Sequence, residues 1–145
     1  MIKSSLQEFC NRMVAKGRVS HADVRELARE VLPDGFASRE EADMLIGLDR
    51  AVPADPDFAD YLIASVVDFA VWGERPTGRI DADIARWLVG SLSCGSGPTA
   101  TGARIAVEVV REAQATDADL VAFALSINHL RAGVDEADFP VALAA

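Results

Sequence analysis

A chain of 145 residues and 15.5 kDa is long enough for one domain with a buried core and too short for two ordinary ones. Half of its residues are hydrophobic and only 6% are aromatic, which argues against disorder over most of its length and suits Ala-, Val- and Leu-rich helices packing on one another. Its 23 acids outnumber 14 Lys and Arg, for a formal charge of −9; that balance repels phosphate backbones and anionic lipid and argues against nucleic acid and membrane as partners.

Cys10 and Cys94 are too few for a disulfide framework, and nothing beside them resembles a metal pair. The stretch Met1 to Phe9 is polar and amphipathic, without the apolar centre of a secretory signal. The most apolar run, Tyr61 to Trp72, is interrupted by Asp68 and too short to span a bilayer. The expected setting is the cytoplasm, without membrane insertion.

Apolar residues recur with a helical period nearly everywhere, and no strand alternation stands out. A first helix is expected from a Ser5–Glu8 capping box, with Leu6, Phe9, Cys10, Met13 and Val14 inward and Gly17 as its stop. Ser20 caps a second, with Val24, Leu27, Ala28 and Val31 inward and Pro33 beyond its end. Ser38 and Glu41 form the clearest capping box and open a third helix presenting Ala42, Leu45, Ile46 and Leu48. Asp55 before Pro56 reads as an N-cap and first-turn proline. The fourth helix runs to about Gly73 and is apolar almost all round, from Phe58 and Leu62 to Val66 and Phe69. Only Asp57, Asp60, Ala64 and Asp68 make a polar line along it.

Asp81 caps a fifth helix with Ile84, Trp87 and Leu88 inward, broken at Cys94 to Gly97. A sixth is expected from about Thr101 to Ala115, with Arg104 and Glu108 as an exposed i, i+4 pair. Asp117 caps a seventh, with Leu120, Phe123, Ala124, Ile127 and Leu130 inward and Gly133 as its stop. The sequence therefore predicts an all-α fold, a compact bundle of about seven helices around a central apolar one. Residues 1–133 form the single helical domain, and residues 134–145 a short turn and tail.

One loop pattern recurs: glycine, an apolar residue two on, a capping residue three on, then an inward leucine. Its copies are Gly17-Val19-Ser20-Leu27, Gly35-Ala37-Ser38-Leu45 and Gly78-Ile80-Asp81-Leu88. The glycine, apolar and acidic offsets are those of the second half of an EF-hand loop. The first half fails, because Arg12, Val14 and Lys16 in the first copy and Arg75 in the third stand where oxygen ligands belong; the middle copy offers only Glu30 and Asp34.

The segment Asp34-Gly35-Phe36-Ala37-Ser38-Arg39-Glu40-Glu41, leaving one helix and launching another, resembles the D-G-x-h-S-x-x-E turn of the TerB-like family, named for bacterial tellurite-resistance operons. Gly78-Arg79-Ile80-Asp81 resembles the equivalent second turn, but Thr77 and Ile84 replace its acids. The resemblance implies an all-helical fold with an acidic surface, and for some relatives metal binding or assembly with partners near the membrane. Carried over residue by residue, it makes Asp34 and Glu41 candidate ligands for a divalent cation. The same residues also read as a turn and a helix cap.

Other motifs point to less. Gly97 and Gly102 have the glycine spacing of a phosphate loop, but Ala103 and Arg104 follow where Lys and Ser or Thr are required. Cys94 stands at a helix C-terminus, whose dipole opposes a thiolate. His21 and His129 have no ligand spacing between them. Asp68, deep in the most apolar helix, must be solvated, hydrogen-bonded or paired with an arginine. Alternatively Asp57, Asp60 and Asp68 form one acidic groove for a cation or a basic partner. No nucleophile–base pair or metal triad appears. The expected function is thus a non-catalytic helical module acting through its acidic face on a protein partner. A divalent-cation-binding domain is the alternative, and a small enzyme the least supported reading.

Overall fold

Helix starts follow the expected side-chain caps, with two exceptions. The computed structural model describes residues 3–74, 77–95 and 97–137, with the side chains of 128–137 outside that description. Helix α1 (Ser4–Lys16) begins directly after Lys3 without a side-chain cap, so Ser5 lies inside the first turn and the Ser5–Glu8 box does not open the helix. Gly17, at φ 83°, ends α1 in the left-handed region as expected. Ser20 caps α2 (His21–Glu26) through the Asp23 amide, and Asp23 returns the contact by accepting from the Ser20 amide at 2.9 Å. The helix then widens into a π-helical turn, Leu27–Val31, ahead of Pro33.

Ser38 accepts from the Glu41 amide at 3.4 Å at the start of α3 (Arg39–Ala51). Helix α4 (Pro56–Asp68) begins at the expected proline and ends in a second π-helical turn, Phe69–Gly73. The Asp55 side chain makes no cap bond there; it pairs with Arg18 and accepts from the His21 amide at 2.9 Å. Asp81 caps α5 (Ala82–Leu92) at 2.9 Å through the Ile84 amide. Thr99, not singled out by the sequence reading, caps α6 (Ala100–Glu112) at 2.9 Å through the Gly102 amide. Asp117 accepts from the Asp119 amide at 3.0 Å where α7 (Ala118–Ala137) begins. Gly133 does not stop α7, which continues to Ala137; the rest of the expected tail, and the side chains of His129 and Leu130, lie outside the described residues.

Two short parallel contacts tie loops together. Strand β1 (Arg79–Ile80) pairs with β2 (Ala115–Thr116), which is why α6 stops at Glu112. The Gln114 amide donates to the Gly78 carbonyl at 2.7 Å and the Asp117 amide to the Ile80 carbonyl at 2.8 Å. Val19 makes a similar parallel bridge to Ala54, with Val19 donating to Pro53 at 3.1 Å and Asp55 donating to Val19 at 2.9 Å.

These two contacts mark an internal repeat. Ser38 and Asp55 follow Ser20 by 18 and 35 residues; Thr99 and Asp117 follow Asp81 by 18 and 36. Helices α3 and α6, launched by the middle member of each set, both span 13 residues. The Gly17 and Gly78 loops are therefore equivalent openings of two half-domains, each bridged to the residue before a later helix. The Gly35 copy is different: Ala37 is exposed, and Phe36 is the apolar plug.

One contiguous core joins both halves, running from Leu6, Phe9 and Met13 through Leu27, Leu45 and Leu62 to Leu88, Ile105 and Leu120. Helix α4 packs against α2, α3 and α6, the central position its composition predicts. Some inward assignments fail: Val14 is 57% exposed, and Ala28, Trp87 and Phe123 are half-buried. Asp68 is exposed, not deep in the bundle, so solvent stabilises its charge without a buried partner. Among the described residues no helix is long and apolar enough to cross a membrane.

Candidate functional site

The acidic turn resolves into two acids in different settings. Glu41 is fully buried in the first turn of α3. Its Oε1 accepts from the Ala37 amide at 2.8 Å and its Oε2 from the Lys3 amide at 3.3 Å, so it ties the N-terminal segment to the loop before α3. Asp34 is exposed at the turn around Gly35. Among the described residues no group of three or more His, Cys, Asp or Glu side chains is placed to hold a metal ion.

The three aspartates of α4 divide between two places. Asp57, in the first turn, pairs with Nδ1 of His21, beside the Arg18–Asp55 pair. This cluster staples the start of α2 to the start of α4 next to the Val19–Ala54 bridge. Asp60 and Asp68 lie further along and face α6 across an open groove of about 480 Å³.

Two helices build that groove. Ile63, Ala64, Val67 and Trp72 from α4 and its π-turn form an apolar floor and one end. Among the described residues, Asp60, Asp68, Glu108 and Glu112 supply four carboxylates around it, against the single cation Arg104. The spacing is helical: Arg104, Glu108 and Glu112 stand one turn apart on α6, as Asp60, Ala64 and Asp68 do on α4. Arg104 reaches Asp60 at 3.5 Å at one end, and Trp72 Nε1 donates to Glu112 at 3.4 Å at the other. The expected Arg104–Glu108 pair does not form: Arg104 turns to Asp60 and Glu108 accepts from Arg111 at 3.2 Å.

Trp72 is 37% exposed. Its indole lies against Gly78, which is at φ +72°; a Cβ there would come within 2.9 Å of the ring. The glycine that opens the second half-domain thus also seats the groove's aromatic wall. Gly17, its equivalent, has nothing near that direction.

A second cluster fixes the end of α4 to α3 and α5. The Arg39 guanidinium bonds Glu74 and Asp83, the latter at 2.7 Å, and lies 5.3 Å from the Trp87 ring centre. Hydrogen bonding to Glu74 is the main cause that raises its already high pKa. Trp87 Nε1 donates to Asp43 at 2.8 Å, and Phe69 meets Trp87 and Phe36 edge to face. Arg39 joins two of these acids and neutral donors meet the third, Asp43, so each has a bonding partner, as in a structural joint.

Cys94 is exposed after α5, its Sγ 3.2 Å from the Gly90 carbonyl. Cys10 is buried, which pushes its thiol up to about 11 and leaves it protonated. The glycine-rich loop precedes α6, but Ser96 lies outside the described residues. Compared with known proteins, the chain matches no family model, no curated protein and no solved structure.

The sequence points to Asp60 and Asp68 but not to the opposing α6 wall of Glu108 and Glu112, nor to Trp72 at the groove's end. The i, i+4, i+8 recurrence of Arg104, Glu108 and Glu112 is the signal for that wall.

Proposed function

We propose that this chain is a non-catalytic helical interaction module, resembling TerB-like proteins, that binds a protein partner through its acidic face. The observation that carries the reading is the α4–α6 groove: an apolar floor with exposed Trp72, bordered by four carboxylates and one arginine. Apolar area supplies affinity and a rim of one charge sign supplies steering and selectivity, the division of labour of a protein-binding surface. The overall charge of −9 acts in the same direction. Glu41, with both oxygens bonded, and Asp57, tied to His21, serve the fold instead.

The test is site-specific photocrosslinking in the native host. A photoreactive phenylalanine analogue replaces exposed Ala64 in the groove or exposed Glu30 on the π-helical turn after α2. A discrete protein adduct from position 64 and none from position 30 is the expected result. Adducts of equal yield from both positions, or none from 64, would defeat the reading.

A further inference from the structure

We infer that the α4–α6 groove receives a basic amphipathic helix of two to three turns, a deepening that rests on the interaction reading above. Charge, spacing and floor each narrow the occupant. Among the described residues, four carboxylates against one guanidinium make the groove strongly negative. Asp68 has no ion-pair or hydrogen-bond partner among the described residues, and Asp60 has only Arg104 at 3.5 Å. A cationic partner satisfies both at the least desolvation cost, whereas a second copy of this chain, at −9, would be repelled.

The acids are spaced for a helix. Glu108 and Glu112 are one turn apart on their wall, and Asp60 and Asp68 two turns apart on theirs. That repeat of roughly 5–6 Å matches cationic side chains placed at i, i+4 on an incoming helix. From Arg104 to Glu112 the α6 wall runs eight residues, or about 12 Å. An occupant of roughly 8–12 residues covers it. Between the walls, Ile63, Ala64 and Val67 present an apolar strip for the occupant's apolar face, the helix-in-groove mode of recognition.

Trp72 is the anchor. Its ring is held on one side by Gly78 and its Nε1 by Glu112, while more than a third of its surface stays open, at 37% exposure. A prearranged aromatic beside a carboxylate takes either an apolar side chain or the stem and head of a Lys or Arg. Among the described residues, Arg104 is the one groove residue whose charge opposes such a partner.

Fluorescence anisotropy with three labelled synthetic peptides of about 12 residues tests this. The first carries Leu on one face and Lys on its flanks; the second is its scramble, without a helical stripe; the third has Glu for every Lys. The first should bind, weaken as salt rises, and bind at least about tenfold more tightly than the scramble. Asp68→Lys combined with Glu108→Lys should cost it at least about tenfold and admit the Glu peptide. Arg104→Ala should tighten binding of the Lys peptide.

Equal binding of peptide and scramble would reduce the groove to a polyelectrolyte surface and overturn the inference. So would affinity unchanged by the double reversal. Should the double variant fail to fold, Arg104→Ala decides: unchanged or weaker binding of the Lys peptide overturns the inference. The two readings fail separately. A protein crosslinked at position 64 that carries no basic amphipathic segment sinks this inference alone, while peptide binding with no crosslinked partner sinks only the interaction reading.

Discussion

Glu41 carries more of the fold than a capping acid usually does. It is fully buried, and both oxygens accept from backbone amides, of Ala37 and Lys3. Removing it orphans two donors, so Glu41→Ala should cost about 1–3 kcal/mol in urea unfolding. Exposed Asp34 should tolerate Asn within about 0.5 kcal/mol. If a divalent cation instead raised the wild-type midpoint and Asp34→Asn abolished that rise, the turn would be a cation site. Asp23 gives a pH dependence. Burial acts to raise its carboxyl, but the hydrogen bond from Lys16 and those from the Ser20 backbone and hydroxyl outweigh it and hold it below its ordinary 3.8. The folded state therefore prefers the ionised form. That stabilisation is present above the unfolded value and disappears as pH falls through the folded one. Urea midpoints should drop on going from about pH 5 to about pH 3, and Asp23→Asn should start lower at neutral pH with a shallower decline. An acid limb unchanged in the variant would assign the loss to other groups.

At the scale of elements, the two half-domain openings make a controlled comparison. Gly17 and Gly78 are both left-handed, at φ 83° and 72°. Alanine at Gly17 meets open space and pays only the backbone term, about 1–2 kcal/mol. Alanine at Gly78 adds a clash with the Trp72 ring and with Gln114, so it should destabilise more and also change Trp72 fluorescence. Equal midpoint losses and an unchanged emission would show that the ring moves aside freely. These openings were legible in sequence because glycine, plug and cap lie within four residues: Ser20, Ser38 and Asp81 cap where expected. Features set by distant partners were not. Arg79–Ile80 is too short to alternate and becomes a strand only through Ala115–Thr116. The π-turns at Leu27–Val31 and Phe69–Gly73 add a residue to a turn, which periodicity does not register. The groove was half legible, since α4 displays its own polar line but not which helix faces it.

For the whole molecule, the question is whether two repeated halves unfold as two units or one. Helix α4 decides it. Its Asp55 end is bridged to Val19 in the first half, while its body packs on α6 in the second and its π-turn supports β1. The core is likewise one cluster, with Leu45 and Leu62 continuous with Leu88 and Ile105. Neither half can bury its apolar face once α4 is removed, so a state with one half folded exposes core surface at a cost of about 25 cal/mol per Å². Urea unfolding should be a single transition with a slope of about 1–3 kcal/mol/M. Helix content and tryptophan emission should give the same midpoint. The comparison is made in a Trp87→Phe variant, because Trp87 is held to α3 by Asp43 and Arg39; the remaining Trp72 lies against Gly78 and Glu112, whereas the helix signal comes from α1 to α7. An α1–α3 unit that melts first would lower ellipticity before the Trp72 emission changes. Non-coincident curves of that order would mean that α4 belongs energetically to the second half and that the Val19–Ala54 bridge holds little of the fold together.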